Sequence, residues 1–324
     1  MSNPPLRVLS RSDLADIFLA PREVIDSVRG AYLALVDRAS RNPAKLAVPV
    51  PEQHSISYSM LGYCGVSQVV AFKTSYKQET KSSRKYYTTI TMYDDATGLP
   101  VALMDCAKIG AMRTPAATAL LVESTVSPTA RTALLIGTGT QGRQAFPYLL
   151  ESVPSLERLL LYGTHQNGIE AVFEVLRQHQ PDRTIELVTD VGKAVGEADV
   201  IVAASGPATA VKVRTSVLRP GAVLVDVGYG VADSALSEAD YAVATSASQL
   251  AVTGRYLADP AGTLRHVDAE LPEILVGRAR GRRTPQDRVF AYNSGMVVTD
   301  IAVGHILARR AIEAGRGSDV SLWT

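Results

Sequence analysis

The stretch Ala133-Leu134-Leu135-Ile136-Gly137-Thr138-Gly139-Thr140-Gln141-Gly142 decides the fold. Its four apolar residues read as a strand covered on both faces, and a G-x-G-x-x-G pattern follows directly. Residues 141–151 then read as a helix. The first glycine suits a tight turn, the second lets backbone approach a pyrophosphate, and the third lets helix pack on strand. The helix start offers N–H groups and the positive end of its dipole to phosphates. The pattern predicts a dinucleotide site in which Gly137, Gly139, Thr140, Gln141 and Gly142 contact the cofactor. A glycine-rich turn that binds nothing is the bland alternative.

Downstream, short apolar runs at 158–162, 185–188, 199–204, 222–227 and 241–244 alternate with helix-like stretches at 167–178 and 191–198. That rhythm predicts an α/β domain with a Rossmann-type, doubly wound parallel sheet. Upstream the rhythm differs. A helix opening at Pro21-Arg22-Glu23 precedes β-like pieces at 46–50, 56–61, 68–73, 87–93 and 101–104. Strands grouped apart from a βα region imply a separate α+β domain. A long helical pattern from Met296 to Ala314 closes the chain, with Gly315-Arg316-Gly317 as its stop.

Composition excludes several classes. A chain of 324 residues, 46% hydrophobic and 20% charged, is globular rather than disordered. Lys plus Arg number 33 against 32 Asp plus Glu, so no electrostatic footprint for nucleic acid or an anionic membrane exists. Cys64 and Cys106 lack metal-ligand spacing, and no metal site is expected. With no leader-like start and no apolar run of spanning length, a cytoplasmic protein is expected.

The end of the second Rossmann strand bears on cofactor type. An Asp or Glu there would hold the ribose hydroxyls of NAD. Here Gly163-Thr164-His165-Gln166-Asn167 takes that place, with Arg143 in the preceding helix. Donors without a carboxylate suit a 2′-phosphate, so Thr164 and His165 are assigned to the cofactor, with NADP preferred over NAD. His165 as a solvated loop residue is the alternative on residue type alone.

Arg113-Thr114-Pro115 supplies a second anion site. Thr114 reads as an N-cap and Pro115 as the first helical residue, which sets a guanidinium beside a helix N-terminus. Upstream lies Asp94-Asp95-Ala96-Thr97-Gly98-Leu99-Pro100, with Met104-Asp105, and near the end come Ser294-Gly295-Met296 and Asp300.

Taken in this order, with the glycine motif and its Gln141, these segments resemble the ornithine cyclodeaminase/μ-crystallin family over most of the chain. The resemblance implies a homodimer. It implies a substrate-binding and dimerisation domain from residues 1–115 plus 298–324, with a Rossmann domain inserted at 116–297. It also implies nicotinamide-dependent chemistry at the carbon–nitrogen bond of an α-amino or α-imino acid. By position, Lys73 matches the family's substrate-side lysine and is the candidate catalytic residue. Arg113 matches the arginine that engages the substrate carboxylate, and Thr114 a cofactor-phosphate contact. Arg113, Ser205, Val227 and Gly295 join the expected cofactor contacts. Lys73 read without the resemblance would be a surface lysine at a strand end.

The chain departs from the family at four places. Lys45 stands where an arginine binds substrate, keeping charge without the bidentate fork. Cys106 and Gly110 replace a glycine and a threonine. Gly230 occupies the place of the cyclodeaminases' catalytic aspartate, with Asp226 and Asp233 nearby but out of register and Leu236 near the place of a further carboxylate. Tyrosines 58, 63, 76, 86, 87, 229 and 292 outnumber other aromatics, as half-buried strand residues or a pocket lining. Lys77, Lys81, Arg84 and Lys85 read as a solvated loop, the bolder alternative being a guide for an acidic substrate.

These features predict an NAD(P)H-dependent oxidoreductase on C=N or CH–NH groups: an imine or ketimine reductase, or an amino-acid dehydrogenase. The alternatives are an ornithine cyclodeaminase-type lyase with recycled NAD, or a non-catalytic NADPH-binding crystallin-like protein.

Overall fold

The computed structural model describes residues 4–80 and 83–323. In chain order the strands are β1 (Leu6–Leu9), β2 (Leu46–Val50), β3 (Ser55–Cys64), β4 (Val69–Glu79), β5 (Arg84–Asp94), β6 (Leu99–Asp105), β7 (Thr132–Ile136), β8 (Arg158–Tyr162), β9 (Ile185–Leu187), β10 (Val200–Ala203), β11 (Val223–Asp226), β12 (Tyr241–Ala244), β13 (Ala269–Glu270), β14 (Val289–Tyr292) and β15 (Ser318–Val320). The chain divides into two compact units, Met1–Arg113 with Met296–Thr324, and Thr114–Gly295. Each junction lies two residues before the expected 115/116 and 297/298.

The first unit is built on a seven-stranded sheet in the order β15-β1-β6-β5-β4-β3-β2. Among the described residues only β1 and β6 run parallel in it; the other pairs are antiparallel. Along β4, Val69, Ala71 and Lys73 are buried while Phe72 and Thr74 are exposed, the alternation a half-covered sheet requires. Helices Pro21–Val36 and Val297–Glu313 belong to this unit and pack on each other, the latter also on β3 and β4.

The second unit carries eight parallel strands in the order β13-β12-β14-β11-β10-β7-β8-β9. β10, β11, β12 and β14 are buried at every residue, which matches sequences that are apolar throughout except for Asp226 at the end of β11. The order reverses between β7 and β10, the switch point of a doubly wound sheet. The fold is thus a Rossmann-type α/β sheet inserted into an α+β unit.

Four strands escaped the sequence pattern, the short edge pair β1 and β15 of the first unit and, in the second, β13 and β14. β14 sits centrally between β11 and β12, although the run Val289-Phe290-Ala291-Tyr292 signals it; β13 has two residues and no period to read. The stretch read as one helix over 141–151 is two, Thr140–Arg143 and Ala145–Ser152, joined at Gln144. Three members of the basic cluster lie in strands rather than a loop: Lys77 in β4, and Arg84 and Lys85 in β5. Lys77 pairs with Glu79 at 2.8 Å; Lys81 falls outside the described residues.

The largest correction concerns Thr114. The helix runs Ala107–Thr125 with Pro115 inside it, so Thr114 caps nothing. Asp105 Oδ1 accepts from the Ala107 N–H at 2.8 Å, and the helix starts there instead. Pro115 withholds one backbone bond. The segment from Thr114 to Leu121 is nevertheless buried on every face, and that burial holds the helix through the proline.

Candidate active site

Lys73 is mid-strand and only 5% exposed, not at a strand end. Across the sheet it faces Met60 on β3 and Ile90 on β5, and Ile90 in turn pairs with Met104 on β6. A lysine among such neighbours needs an anion. Asp300 provides it: Lys73 Nζ lies 2.8 Å from Asp300 Oδ2. Arg113 Nε donates to Asp300 Oδ1 at 2.9 Å. One fully buried carboxylate therefore bridges two cations from two other elements.

Local sequence explains how Asp300 gets there. A Cβ added to Gly62 on β3 would come within 2.5 Å of Val297 Cγ1. Only glycine lets the start of the Val297–Glu313 helix lie this close to the strand. Asn42 Oδ1 accepts from the Val298 N–H at 3.1 Å and fixes that end. Asp300 follows in the first turn, on the face turned to β4. It was legible as a family-matching residue but not as a site residue. The signal was an aspartate among the mostly apolar residues that open the helix, since a carboxylate there demands partners.

The electrostatics follow from burial. Desolvation pushes the Asp300 carboxyl upward, but Arg113 and Lys73 overcome it and hold the group below its usual range. Burial works against the Arg113 charge, and Asp300 outweighs it. Lys45, just ahead of β2, is half-buried and feels all three groups. Burial first, then the like charges of Arg113 and Lys73, lower it to about 8. Cys106, at the edge of the same cluster, is pushed up to about 12 mainly by burial and so remains a thiol. The four groups together make an anion-attracting centre: three cations against one carboxylate.

A prediction arises from Lys45. The empty site loses this cation as pH rises through about 8. KM for an anionic substrate should climb roughly tenfold per pH unit above that value, while Lys45→Arg, which stays charged, should flatten the rise. Initial rates between pH 6.5 and 9.5 measure it. Equal slopes in both proteins would remove Lys45 from substrate binding.

In the second unit the glycine motif has the geometry a dinucleotide requires. Gly137 has φ +112° and an added Cβ would meet the Ala204 carbonyl oxygen at 2.5 Å. A Cβ on Gly142 would reach the Gly137 oxygen at 2.1 Å, whereas Gly139 opens onto free space and can let a phosphate approach. Gly139 is the N-cap of Thr140–Arg143 with no side chain capping it, and Gly139 and Thr140 are exposed. Gln141 Oε1 is buried without a hydrogen-bond partner, a group a bound ligand can satisfy. These residues fit a dinucleotide. Thr164 and His165 are exposed at the end of β8, next to β7. Ser205 follows β10, its Oγ donating to the Ile136 carbonyl at 3.3 Å. Val227 follows β11 and donates its N–H to Ala203 at 3.0 Å; Gly295 follows Ser294, which bonds Thr245. Thr114 is buried, its carbonyl accepting from Asn293 Nδ2 at 3.0 Å. Gly230 has φ +118°, a conformation that strains an aspartate. Asp226 is a strand-end residue, buried and hydrogen-bonded to the Gly228 N–H and Tyr256. Among the described residues no three His, Cys, Asp or Glu side chains gather as a metal site, and no helix is long and apolar enough to cross a membrane.

The fold is shared with known proteins. The chain is 24% identical over 321 residues to the nodulation efficiency protein NfeD of Rhizobium meliloti, covering 98% of this chain and 99% of that one. It is 25% identical over 312 residues to a Delta(1)-pyrroline-2-carboxylate reductase of Bacillus cereus, covering 92% and 94%. A structure of the Thermococcus litoralis Delta(1)-pyrroline-2-carboxylate reductase, with NADH and L-proline, superimposes with a TM-score of 0.79 at 23% identity, covering 97% of this chain and 100% of that one. The model of the ornithine cyclodeaminase/mu-crystallin family matches residues 20–315. On that match, the chain belongs to the ornithine cyclodeaminase/mu-crystallin family.

Proposed function

We propose that the protein is a nicotinamide-dependent reductase of a cyclic or linear α-imino acid, working in reverse as an amino-acid dehydrogenase. The observation that carries this reading is the buried Lys73–Asp300–Arg113 cluster with Lys45 beside it. The nicotinamide supplies the hydride. Arg113 and Lys45 hold the substrate carboxylate, which fixes the reacting carbon. Lys73 presents its ammonium to the imine nitrogen and gives it the proton that the product amine requires. Asp300 keeps Lys73 and Arg113 in place and balances part of their charge. The reductase relatives in Bacillus cereus and Thermococcus litoralis support the reaction class.

The absence of a carboxylate at Gly230 weighs against cyclodeamination, which needs a group to handle a side-chain amine. NADP is the preferred cofactor because the end of β8 offers Thr164 and His165 and no acid. Assay of NADPH and NADH oxidation with five- and six-membered cyclic imino acids, and with keto acids plus ammonia or methylamine, tests both points. No turnover of any imine by protein that binds the cofactor would overturn the reductase reading in favour of a binding protein. Ammonia released from ornithine or lysine without net cofactor oxidation would instead establish the lyase.

A homodimer is the expected assembly. The face of β2–β5 opposite Lys73 exposes Leu46, Val48, Phe72, Tyr76 and Tyr87, with Leu46 at 71% and Tyr87 at 64%. An apolar sheet face of this extent suits a second copy of the chain. Light scattering should give a mass near twice 34.6 kDa. Phe72→Asp should shift it to the monomer, and a monomeric wild type would refute the assignment.

A further inference from the structure

Asp226 ends β11 and is 1% exposed. Its Oδ1 accepts from the Gly228 N–H at 3.2 Å and its Oδ2 from the Tyr256 hydroxyl. Among the described residues no Lys, Arg or His side chain forms an ion pair with it, and Lys212 contributes only a weak favourable field. The Tyr256 phenol in turn feels Tyr292 and Tyr229. Tyr256 itself is 41% exposed and links the buried carboxyl to the surface.

The position within the sheet matters. β7, β8 and β9 form the first mononucleotide-binding half, with the glycine motif after β7. β10, β11 and β14 form the second, and a dinucleotide lies outside the carboxyl ends of both. With the pyrophosphate at Gly137–Gly142, one nucleoside end would occupy each half. The half whose strand ends hold Asp226 and Tyr292 would take the nicotinamide, the Thr164–His165 end of β8 being assigned to the adenosine side. Burial is the main reason that Asp226 is raised to about 7, against the bonds from Tyr256 and Gly228 that favour its charged form.

We propose that Asp226, with Tyr256 bonded to it, responds to the redox state of the nicotinamide, holding a proton beside the reduced ring and releasing it beside the oxidised one. This rests on the nicotinamide reading above. A bound nicotinamide would gain one positive charge on giving hydride to the imine carbon. Asp226 then becomes a carboxylate, its proton passing to the Tyr256 oxygen while the phenolic proton leaves to solvent. One hydride and one proton are released, the pair that reduction of a neutral imine consumes. The ionised Asp226 carboxylate would favour the positively charged, oxidised form, so that form should bind more tightly as pH rises through neutrality.

Dissociation constants for the oxidised and reduced forms of whichever cofactor binds, measured by calorimetry on the full chain at pH 6.0, 7.0 and 8.5, test this. The ratio of the two should move about tenfold towards the oxidised form across that range, the effect of a one-unit pKa change on ring oxidation. Asp226→Asn should make the ratio independent of pH. Tyr256→Phe, which removes a bond favouring the carboxylate, should keep the change but shift its midpoint to higher pH. A ratio that is flat in the wild type, or unchanged in slope in Asp226→Asn, would overturn the proposal while leaving the cofactor assignment intact. Failure of either form to bind would overturn the cofactor reading and the proposal with it.

Discussion

Asp300→Asn is expected to lower the melting temperature by roughly 10 °C, the consequence of a loss of about 3–5 kcal/mol, and to abolish turnover. The carboxylate is completely buried and answers both Lys73 and Arg113. Asparagine preserves the shape but leaves two cations facing each other in a desolvated space. The penalty is that of the unpaired charges, larger than the worth of either bond alone. Removing one of those cations should recover part of the loss, so Asp300→Asn with Lys73→Met should melt above Asp300→Asn alone. The sign of the pH dependence follows from the lowered carboxyl. Its folded value is below the ordinary 3.8, so its contribution is fully present above that value and fades as pH falls through the folded one. Thermal melts at pH 7 and pH 3 measure both effects. A melting temperature within two degrees of wild type at pH 7 would show that the cluster contributes no stability.

Lys73→Met is expected to lower kcat by about 10²- to 10⁴-fold, the range for loss of a positioned proton donor. Methionine fits beside Met60 and Ile90, and Asp300 keeps its bond to Arg113, so the fold should survive. Cofactor affinity should change less than twofold, since Lys73 lies in the α+β unit and the glycine motif in the other. Lys73→Arg should not restore turnover, because a guanidinium does not give up its proton. Steady-state kinetics with an accepted imine, together with cofactor titration, separate the two effects. A kcat within threefold of wild type would remove Lys73 from the chemistry and leave it a purely structural partner of Asp300.

Much of the site was legible in residue order. The glycine motif announced its own geometry, because a tight turn and a close helix packing permit few residue types. Lys73 and Lys45 were found only through resemblance, since an isolated lysine in an apolar run carries no mark of its partner. Arg113 was read from its own segment as an anion-binding cation, though beside a helix start that the structure places at Ala107 instead. Thr114 misled for a definite reason. The pair Thr-Pro is a good local helix start, yet burial of the segment on all sides outweighed that propensity and carried the helix through Pro115. β14 was hidden for a similar reason, being four apolar residues between an arginine-rich stretch and a motif read for another purpose.

By itself the sequence determined which parts of the chain alternate strand and helix, where backbone must turn without a side chain, and which residues carry charge. These are local properties, set by spacing and residue type within a few positions. The tertiary structure alone decided that Asp300, some 190 residues beyond Arg113, sits between it and Lys73. It alone decided that Asp226 is shut away with Tyr256. A buried charge is defined by what surrounds it, and those neighbours come from strands and helices far apart in the chain. Desolvation and Coulomb attraction act through space, so the chemistry of both carboxyls is fixed only when the fold brings their partners into contact.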